Sequence, residues 1–385
     1  MSEFKAAYTK VVAINPHPNP EVHSLAVATI YGFQVIIRKD SLNVGDLVLF
    51  APVDSIIPTV LEIMLFPPDS KIKLNNSRVR QIRIQKFPSQ GMILNMKDIQ
   101  AYLTCLGYKN FMFEEEKDYA QLLGITKYEP EAPKVFLGTK ITSKRRLAEH
   151  PMMHSYNGVD NGKWFPNRFK EDIDEVVIQN KFHGTNARFG HFKTIKRGII
   201  DNIKSFFGLL PNTHFRYGSN NVDITGKSGK YDGYYEIDLY GRAFEKCKAK
   251  DKVKLNELIF GEIIGEGIQK GYHYGHKDPV FILFDVKVFN DDGTFKWLNP
   301  EEVEEYAKER GFDMVTILYK GVYKKSVVDL LTVGSDPYYP QHKIKEGIVI
   351  KSRYNYTNTE YSSSKNVLKS INPDYLADYT NTDNH

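Results

Sequence analysis

Short β-branched and aromatic runs, separated by tight turns, constrain the fold of the first hundred residues most strongly. Turn residues such as those of Asn43-Val44-Gly45-Asp46 punctuate the runs. Runs this short leave no room for helices between them, so they favour antiparallel pairing and a small β-barrel. The predicted strands are Val11–Ile14, Leu25–Ile30, Phe33–Arg38 and Leu47–Phe50, then Val79–Ile84 and Gly91–Leu94 with Pro88-Ser89-Gln90 as their connection.

A change of pattern after the barrel predicts a domain boundary. Between Asp98 and Pro133, Leu and Tyr recur at helical spacing, and the stretch ends in Tyr128-Glu129-Pro130-Glu131-Ala132-Pro133. A chain of 385 residues is long enough for two domains with their own cores. We therefore predict one domain over residues 1–134 and a second over 135–385.

Composition excludes several classes of protein. With 41% hydrophobic and 26% charged residues, the chain has a globular composition, and its net charge of +5 is far from that of a histone-like binder. The two cysteines, Cys105 and Cys247, are too far apart for a zinc ribbon and fit a reducing compartment. No signal-like start is present, and Asp285 and Lys287 interrupt the apolar stretch Val280–Phe289. We expect a soluble, cytoplasmic protein that does not enter membranes.

Three separated segments share a layout that suggests chemistry. Each is a predicted strand with a charged residue at or just past its end: Val176–Lys181, Leu258–Glu262 and Ile348–Lys351. One such segment alone is typical of a solvated sheet edge or an ion pair, because charged side chains are normally exposed. Three in one chain favour a functional site.

These segments belong to a longer ordered series of motifs. The series resembles that of the covalent nucleotidyltransferases, and its KxHGTN signature resembles that of the RNA ligases. The resemblance covers about residues 176–372. The motifs are Lys181-Phe182-His183-Gly184-Thr185-Asn186, Phe260-Gly261-Glu262-Ile263-Ile264-Gly265, Phe281-Ile282-Leu283-Phe284-Asp285-Val286, Glu346-Gly347-Ile348-Val349-Ile350-Lys351 and Val367-Leu368-Lys369.

The first half extends the resemblance. Residues His23–Pro58 look like the amino-terminal OB-type domain of a subgroup of RNA ligases, and Leu122–Pro130 resembles the linker of that subgroup. The implied fold class is α+β, with an OB-type β-barrel followed by a mixed α/β nucleotidyltransferase domain built on antiparallel sheets. The implied partner is RNA, and an OB face offers Arg78, Arg80 and neighbouring cations, Arg83 and Lys86, as contacts to its backbone.

The resemblance implies that Lys181 is the catalytic nucleophile. Its amine would attack the α-phosphate of ATP, form a lysyl-AMP and release pyrophosphate. Attack requires a neutral amine, so the pKa of the lysine must be lowered by burial or by neighbouring cations. Lys351 and Lys369 are the implied cations, and they would also contact the α-phosphate.

Two acids and an aromatic side chain complete the implied nucleotide site. Glu262 and Glu346 would hold the ribose hydroxyls and a divalent ion, Mg²⁺ or Mn²⁺, because such ions prefer oxygen ligands. Phe284 would stack on adenine, with Asp285 beside it. The remaining contacts to the nucleotide are implied for His183, Gly184, Thr185 and Asn186.

Two departures from the family pattern leave roles open. In the segment Phe215–Asn221, where relatives often present an arginine to the substrate, Asn220 follows the serine, so the phosphate contact there is undecided. Some relatives carry a second lysine two positions after the last motif lysine, whereas this chain has Ile371. Lys369 is then the sole candidate, unless Lys365 contributes.

Other readings of the same motifs remain as alternatives. DNA ligases and capping guanylyltransferases carry an OB domain after the last lysine motif and show KxDG, whereas only 16 residues follow Lys369 here. A zinc site is disfavoured because only His273 and His276 lie close together, and there is no Walker-type loop. A non-catalytic RNA-binding protein would not need this set of charged residues. By resemblance, we expect a monomer that seals nicks in duplexes with RNA on the 3′-hydroxyl side.

Overall fold

A computed structural model describes residues 4–70, 73–128, 150–156, 159–195, 198–220, 222–224, 238–354 and 365–377. Contacts divide these residues into two units. The first unit comprises residues up to 128 together with 159–169 and 370–377, and the second comprises 150–156 and 170–369. None of the described helices is long and apolar enough to cross a membrane.

The described elements, in chain order, are short strands first and longer strands later. Up to residue 161 they are β1 (Ala7–Lys10), β2 (Ala13–Pro16), β3 (Leu25–Ile30), β4 (Phe33–Arg38), β5 (Leu47–Ala51), β6 (Ser55–Ile56), α1 (Thr59–Leu65), β7 (Ile82–Ile84), β8 (Phe87–Ser89), β9 (Met92–Leu94), α2 (Met96–Cys105), α3 (Ala120–Leu123), β10 (Thr126–Lys127) and β11 (Asp160–Asn161).

The later elements carry the predicted motifs. They are β12 (Glu175–Lys181), β13 (Thr185–Lys193), α4 (Ile199–Phe206), β14 (Thr213–Ser219), α5 (Leu239–Lys246), α6 (Ala249–Lys252), β15 (Glu257–Ile264), β16 (Val280–Phe289), β17 (Phe295–Trp297), α7 (Pro300–Arg310), β18 (Ile317–Val322), α8 (Lys325–Thr332), β19 (Gly347–Ser352), β20 (Val367–Ile371) and α9 (Pro373–Leu376).

The first unit is built on two three-stranded sheets, ordered β1-β5-β9 and β2-β3-β4. Their pairings are antiparallel, as expected for strands joined by tight turns. Side chains from both sheets share one apolar cluster that includes Ile30, Val35 and Phe50, with Trp164 packed among them. The helix α2 covers a second cluster with Ile99 and other apolar residues.

The second unit contains two antiparallel sheets. In sheet I, β20, β19, β12 and β18 lie side by side in that order, and in sheet II the order is β14-β13-β15-β16-β17. The central strand β12 is almost fully buried because Val176, Val177 and Ile178 make it apolar on both faces. Sheet II packs its inner face on α5 and α7 through a cluster that includes Phe189, Phe244 and other aromatic and aliphatic side chains.

The structure confirms most of the predicted strands and corrects some. The predictions Leu25–Ile30 and Phe33–Arg38 match β3 and β4. The predicted strand Val11–Ile14 is wrong in position, because Val11 and Val12 lie between β1 and β2. The predicted connection Pro88-Ser89-Gln90 is wrong as well, since Phe87–Ser89 forms β8 and pairs with β7. The predicted domain boundary at 134/135 lies outside the described residues and stays a prediction.

Candidate active site

The signature segment, Lys181–Asn186, passes from sheet I to sheet II of the second unit, and we call this point the crossing. Lys181 is the last residue of β12 in sheet I, and Thr185 is the first residue of β13 in sheet II. Only Phe182, His183 and Gly184 connect them. Groups from both sheets therefore meet at this crossing.

The side chain of Lys181 contacts an acid that the sequence places 165 positions away. Its Nζ donates a hydrogen bond to Oε1 of Glu346 over 2.5 Å, and the Glu346 side chain is 1% exposed. The contact follows from strand register, because Lys181 is paired with Gly347 across β12 and β19. Gly347 has a φ of +153°, which side-chain-bearing residues rarely adopt, so the Glu-Gly order allows β19 to begin here.

Glu262 approaches the same place from sheet II. Its Oε1 accepts a hydrogen bond from the Gly184 N–H over 3.2 Å. Burial, together with the charge of Glu346, raises the pKa of Glu262 to about 8, against the opposing effects of Lys181 and the Gly184 N–H. Lys181, Glu262 and Glu346 thus form one electrostatic group. The prediction that Glu262 lies at a strand end is wrong, because β15 continues to Ile264.

Gly184 is required by close packing against β15. A Cβ added to it would lie 2.4 Å from the carbonyl oxygen of Ile263 and 2.8 Å from Cγ of Glu262. Its own carbonyl accepts a hydrogen bond from Nε2 of Gln269 over 2.7 Å. A larger residue would displace Glu262 or the crossing segment.

Phe284 is the extra residue of a β-bulge. Gly261 faces Leu283 across β15 and β16, and Phe260 faces Asp285, so the pairing skips Phe284. Bulges redirect side chains and are common beside active sites. The ring of Phe284 is partly exposed and meets the edge of Tyr156 with centroids 4.9 Å apart.

Asp285 is the centre of a second charged group. It is completely buried, and its Oδ2 accepts a hydrogen bond from the Tyr156 hydroxyl over 2.8 Å. The Nζ atoms of Lys351 and Lys365 each lie 3.5 Å from the same oxygen. Burial lowers the pKa of both lysines despite the opposing charge of Asp285.

The side chain of Lys351 lies beside the Phe284–Asp285 segment, and its predicted role toward the nucleophile stays a prediction. Its Nζ donates to the carbonyl oxygen of Phe284 over 2.6 Å, and so it serves the Phe284–Asp285 segment. The Nζ of Lys181 donates a hydrogen bond to the acid Glu346. Lys365, left open by the sequence, belongs to the Asp285 group. Lys369 lies in β20, beside β19, and is 3% exposed.

His183 and Thr185 of the signature contact tyrosines that the sequence did not single out. The backbone N–H of His183 donates to the hydroxyl of Tyr274 over 2.8 Å. The ring of His183 meets the edge of Tyr272. The hydroxyls of Thr185 and Tyr240 lie 3.2 Å apart. Asn186 pairs with Glu262 across β13 and β15, and its buried Oδ1 has no hydrogen-bond partner among the described residues.

Residues at the first departure and at the weighed zinc site have structural partners. Asn220 accepts a hydrogen bond from the backbone of Tyr156 over 2.7 Å. Arg216 forms a 2.6 Å ion pair with Asp223. A ring nitrogen of His276 lies 2.8 Å from the hydroxyl of Tyr338. Across the described part of the chain, no group of three or more His, Cys, Asp or Glu residues is placed to hold a metal ion.

Comparison with known proteins accounts for both halves of the chain. The family model described as RNA ligase matches residues 174–371, which is more than half of the chain and contains every candidate site residue. The chain belongs to the RNA ligase family. A second family model, an OB-fold domain, matches residues 6–96, and so it covers β1 to β9. The predicted α+β fold class, with an OB-type domain first, is confirmed.

Solved structures similar to this RNA ligase include those of an RNA ligase from Naegleria gruberi. A mutant solved with ATP and Mn is 19% identical, with a TM-score of 0.68, and the match covers 98% of this chain and 99% of that one. The same relative with PPi is also 19% identical, at a TM-score of 0.66 and with the same coverage. A mutant with AMP and Mn is 19% identical, with a TM-score of 0.66 and coverage of 96% and 97%. At this level of identity, the likeness shows a shared fold.

Some basic residues of the OB-fold domain that were predicted to contact RNA are occupied by other contacts. Arg78 is buried and pairs with Asp54, and its guanidinium lies 3.8 Å from the centre of the Tyr128 ring. The prediction that Arg78 contacts RNA is therefore wrong. Arg83 pairs with Asp374 on the surface, whereas Lys86 is exposed in the turn between β7 and β8.

Proposed function

We propose that the chain is an ATP-dependent RNA ligase that carries AMP on Lys181 and joins a 5′-phosphate to a 3′-hydroxyl. The observation that carries the proposal is the meeting of Lys181, Glu346 and Glu262 at the crossing of two sheets. Lys181 is held in sheet I by the pairing of β12 with β19 and by Glu346, and its side chain is still 13% exposed. It is therefore both positioned and reachable by a substrate.

The first step forms a bond between Nζ of Lys181 and the α-phosphorus of ATP. The bond from that phosphorus to the bridging oxygen of pyrophosphate breaks, and the amine loses a proton. Glu346 is within hydrogen-bonding distance of Nζ and accepts this proton or passes it to solvent. In the second step, AMP moves from Lys181 to the RNA 5′-phosphate. In the third, the 3′-hydroxyl displaces AMP.

The acids at the crossing suit a divalent cation. Glu262 and Glu346 offer carboxylate oxygens, which Mg²⁺ and Mn²⁺ prefer, and Mg²⁺ typically binds through one or two carboxylates together with waters and substrate phosphates. When bound there, such an ion supplies positive charge that favours the neutral lysine and balances the phosphates. The acids themselves orient the ribose hydroxyls.

The second charged group, together with the bulge, supports an adenine pocket. Phe284 is redirected by the bulge and kept in place by the edge of Tyr156, so it offers a ring face for stacking. Asp285, Lys351 and Lys365 fix the strand behind it. His183, Gly184, Thr185 and Asn186 contact the nucleotide from the crossing, and Lys369 contacts its α-phosphate. The Naegleria gruberi relative, solved with ATP, AMP and PPi, accords with this assignment.

We propose a nick in a duplex with RNA on the 3′-hydroxyl side as the preferred substrate. The OB-fold domain that precedes the ligase region supports this preference, since such domains hold nucleic acid on a sheet face. A monomer acting inside the cell remains part of the proposal. The alternatives are a DNA ligase, a capping guanylyltransferase and a non-catalytic RNA-binding protein, and each makes a different prediction about sealing.

The test is a sealing assay with three substrates of identical sequence. These are a duplex nicked beside an RNA 3′-hydroxyl, a duplex nicked beside a DNA 3′-hydroxyl, and the free single strands. With ATP and Mg²⁺, we expect the RNA-sided nick to be sealed fastest, and GTP to support no sealing. Equal sealing of the DNA-sided nick would favour a DNA ligase. Transfer of GMP from GTP to a 5′-diphosphate RNA end, without sealing, would favour a guanylyltransferase, and binding without sealing or nucleotide transfer the non-catalytic alternative.

A further inference from the structure

The second unit contains a buried carboxylate that the proposed reaction does not use. Asp336 is completely buried in the connection between α8 and β19. Its Oδ1 accepts hydrogen bonds from the backbone N–H groups of Tyr338 and Tyr339, over 2.8 Å and 3.1 Å. Its Oδ2 accepts a hydrogen bond from Nδ2 of Asn180 over 3.0 Å. Three N–H donors thus hold this carboxylate in place.

The partner of Asp336 is the residue immediately before the nucleophile. Asn180 is 1% exposed and follows a register shift between β12 and β18, located at Ile178 and Gln179. Its backbone N–H donates to the carbonyl of Thr316 over 2.8 Å. Successive side chains of a strand point to opposite faces, so Asp336 holds Asn180 on the side away from Lys181.

The same connection also leads into the acid that contacts the nucleophile. The N–H of Lys345 donates to the carbonyl of Gly334 over 3.0 Å, which closes the loop directly before Glu346. Asp336 lies inside this closed loop. This loop is therefore connected to both residues of the Lys181–Glu346 contact. It contacts Asn180, the neighbour of Lys181, and it continues directly into Glu346.

We propose that Asn180 and Asp336 are positioning residues that hold Lys181 in line with the α-phosphate. This inference rests on the proposed lysyl-AMP chemistry. Their contact joins positions 156 residues apart at the place where β12 departs from regular pairing. A displacement of about 1 Å at a reacting atom can cost up to about 100-fold in rate, so a tether at this point acts directly on the first step.

A set of full-length variants separates positioning from general stability. N180A removes the hydrogen bond between Asn180 and Asp336 but keeps those from the backbone N–H groups of Tyr338 and Tyr339 to Asp336. D336A removes all three hydrogen bonds. The double variant completes a double-mutant cycle. D336N is the conservative variant. The buried Oδ1 of Asn180 has no hydrogen-bond partner among the described residues, so it can accept from the new amide. D291A is the matched control, because Asp291 accepts from Nδ2 of Asn256 in an exposed Asn–Asp contact.

Two rates are measured for each variant: single-turnover lysyl-AMP formation with ATP, and sealing of a strand supplied already adenylylated. The second reaction does not use Lys181 as a nucleophile. We expect N180A and D336A to form lysyl-AMP about 10-fold more slowly, with the double variant no slower than the slower single one. D336N and D291A should stay within about 3-fold of wild type. Sealing of the adenylylated strand should fall much less than lysyl-AMP formation in N180A.

Three results overturn the inference. They are lysyl-AMP formation by N180A at the wild-type rate, an equal loss of both reactions in N180A, and a loss in D336N as large as in D336A. If D336A does not fold, N180A and D336N decide the question by themselves. A wild-type chain that takes no label overturns the proposed function itself, whereas a labelled wild type with an unaffected N180A overturns only the positioning role.

Discussion

Glu262 is a candidate site residue whose pKa in the folded chain is raised far above its ordinary value by burial. Its pKa of about 8 in the folded chain lies above the ordinary value of 4.5. Between these values the folded chain retains a proton that the unfolded chain has lost. The contribution to stability is therefore fully present at low pH and is lost as the pH rises toward 8.

Glu262→Gln removes this titration and tests it. We expect the free energy of unfolding of E262Q, relative to wild type, to increase between about pH 5 and pH 8 by up to about 1 kcal/mol per pH unit, and to level off above that range. Urea unfolding in the presence of a chelator measures the difference. A difference that does not change with pH would show that Glu262 titrates normally in the folded chain.

At the scale of elements, Asp285 joins β16 to the lysines of β19 and of the segment before β20. Removal of its carboxylate leaves Lys351 and Lys365 buried beside each other with their common acid gone. Breaking a buried ion pair from one side is strongly destabilising. We expect D285A to lower the free energy of unfolding by about 3 kcal/mol.

The fluorescence of Trp297, in a Trp164→Phe background, follows the unfolding of the second unit in urea. Trp297 suits this purpose because its ring lies 4.0 Å from Nζ of Lys365. The exposed acid Asp291, which pairs with Lys193, supplies the control D291A, and we expect its midpoint to match that of wild type. Equal midpoints for D285A and D291A would contradict a central role for Asp285.

At the scale of the whole molecule, we expect RNA binding by the first unit to be separable from lysyl-AMP formation by the second. Lys86 is exposed on the first unit, far in sequence from the ligase motifs. We expect K86A to weaken RNA binding and to reduce the slope of log affinity against log salt by about 1, while lysyl-AMP formation stays unchanged. The matched control is K117A, because Lys117 is an exposed lysine of the same unit that pairs with Glu114. An unchanged salt dependence in K86A would remove Lys86 from the RNA contacts.

Much of this architecture could be predicted from local sequence, and the rest depends on contacts between distant positions. β3 and β4 follow from alternating apolar runs and tight turns, which are local signals. The order of the motifs predicted Lys181, Glu262 and Glu346 as site residues, and the fold brings these three together. The motifs did not show that Lys351 contacts the carbonyl of Phe284. The bulge at Phe284 depends on pairing between two strands, which a single strand's sequence does not record.

The Asn180–Asp336 contact illustrates the same limit more sharply. Asp336-Pro337 is a turn signal in the sequence, and Asn180 precedes the signature lysine, but nothing local connects them across 156 positions. Tyr156 and Tyr274 were missed for a similar reason, since each acts through a hydroxyl that reaches a remote segment. Long-range polar contacts of this kind become visible only in the folded chain.

The most direct test of the account is whether Lys181 becomes covalently labelled. The full-length chain, freed of any AMP already bound, is incubated with Mg²⁺ and ATP carrying radioactive phosphorus at the α-position, and is then separated under denaturing conditions. Lys181→Ala is compared with Lys193→Ala, a lysine on β13 that pairs with Asp291 on the surface. We expect label on the wild type and on K193A and none on K181A. Label on K181A, or none on the wild type, would contradict the assignment of Lys181 as the residue that carries AMP.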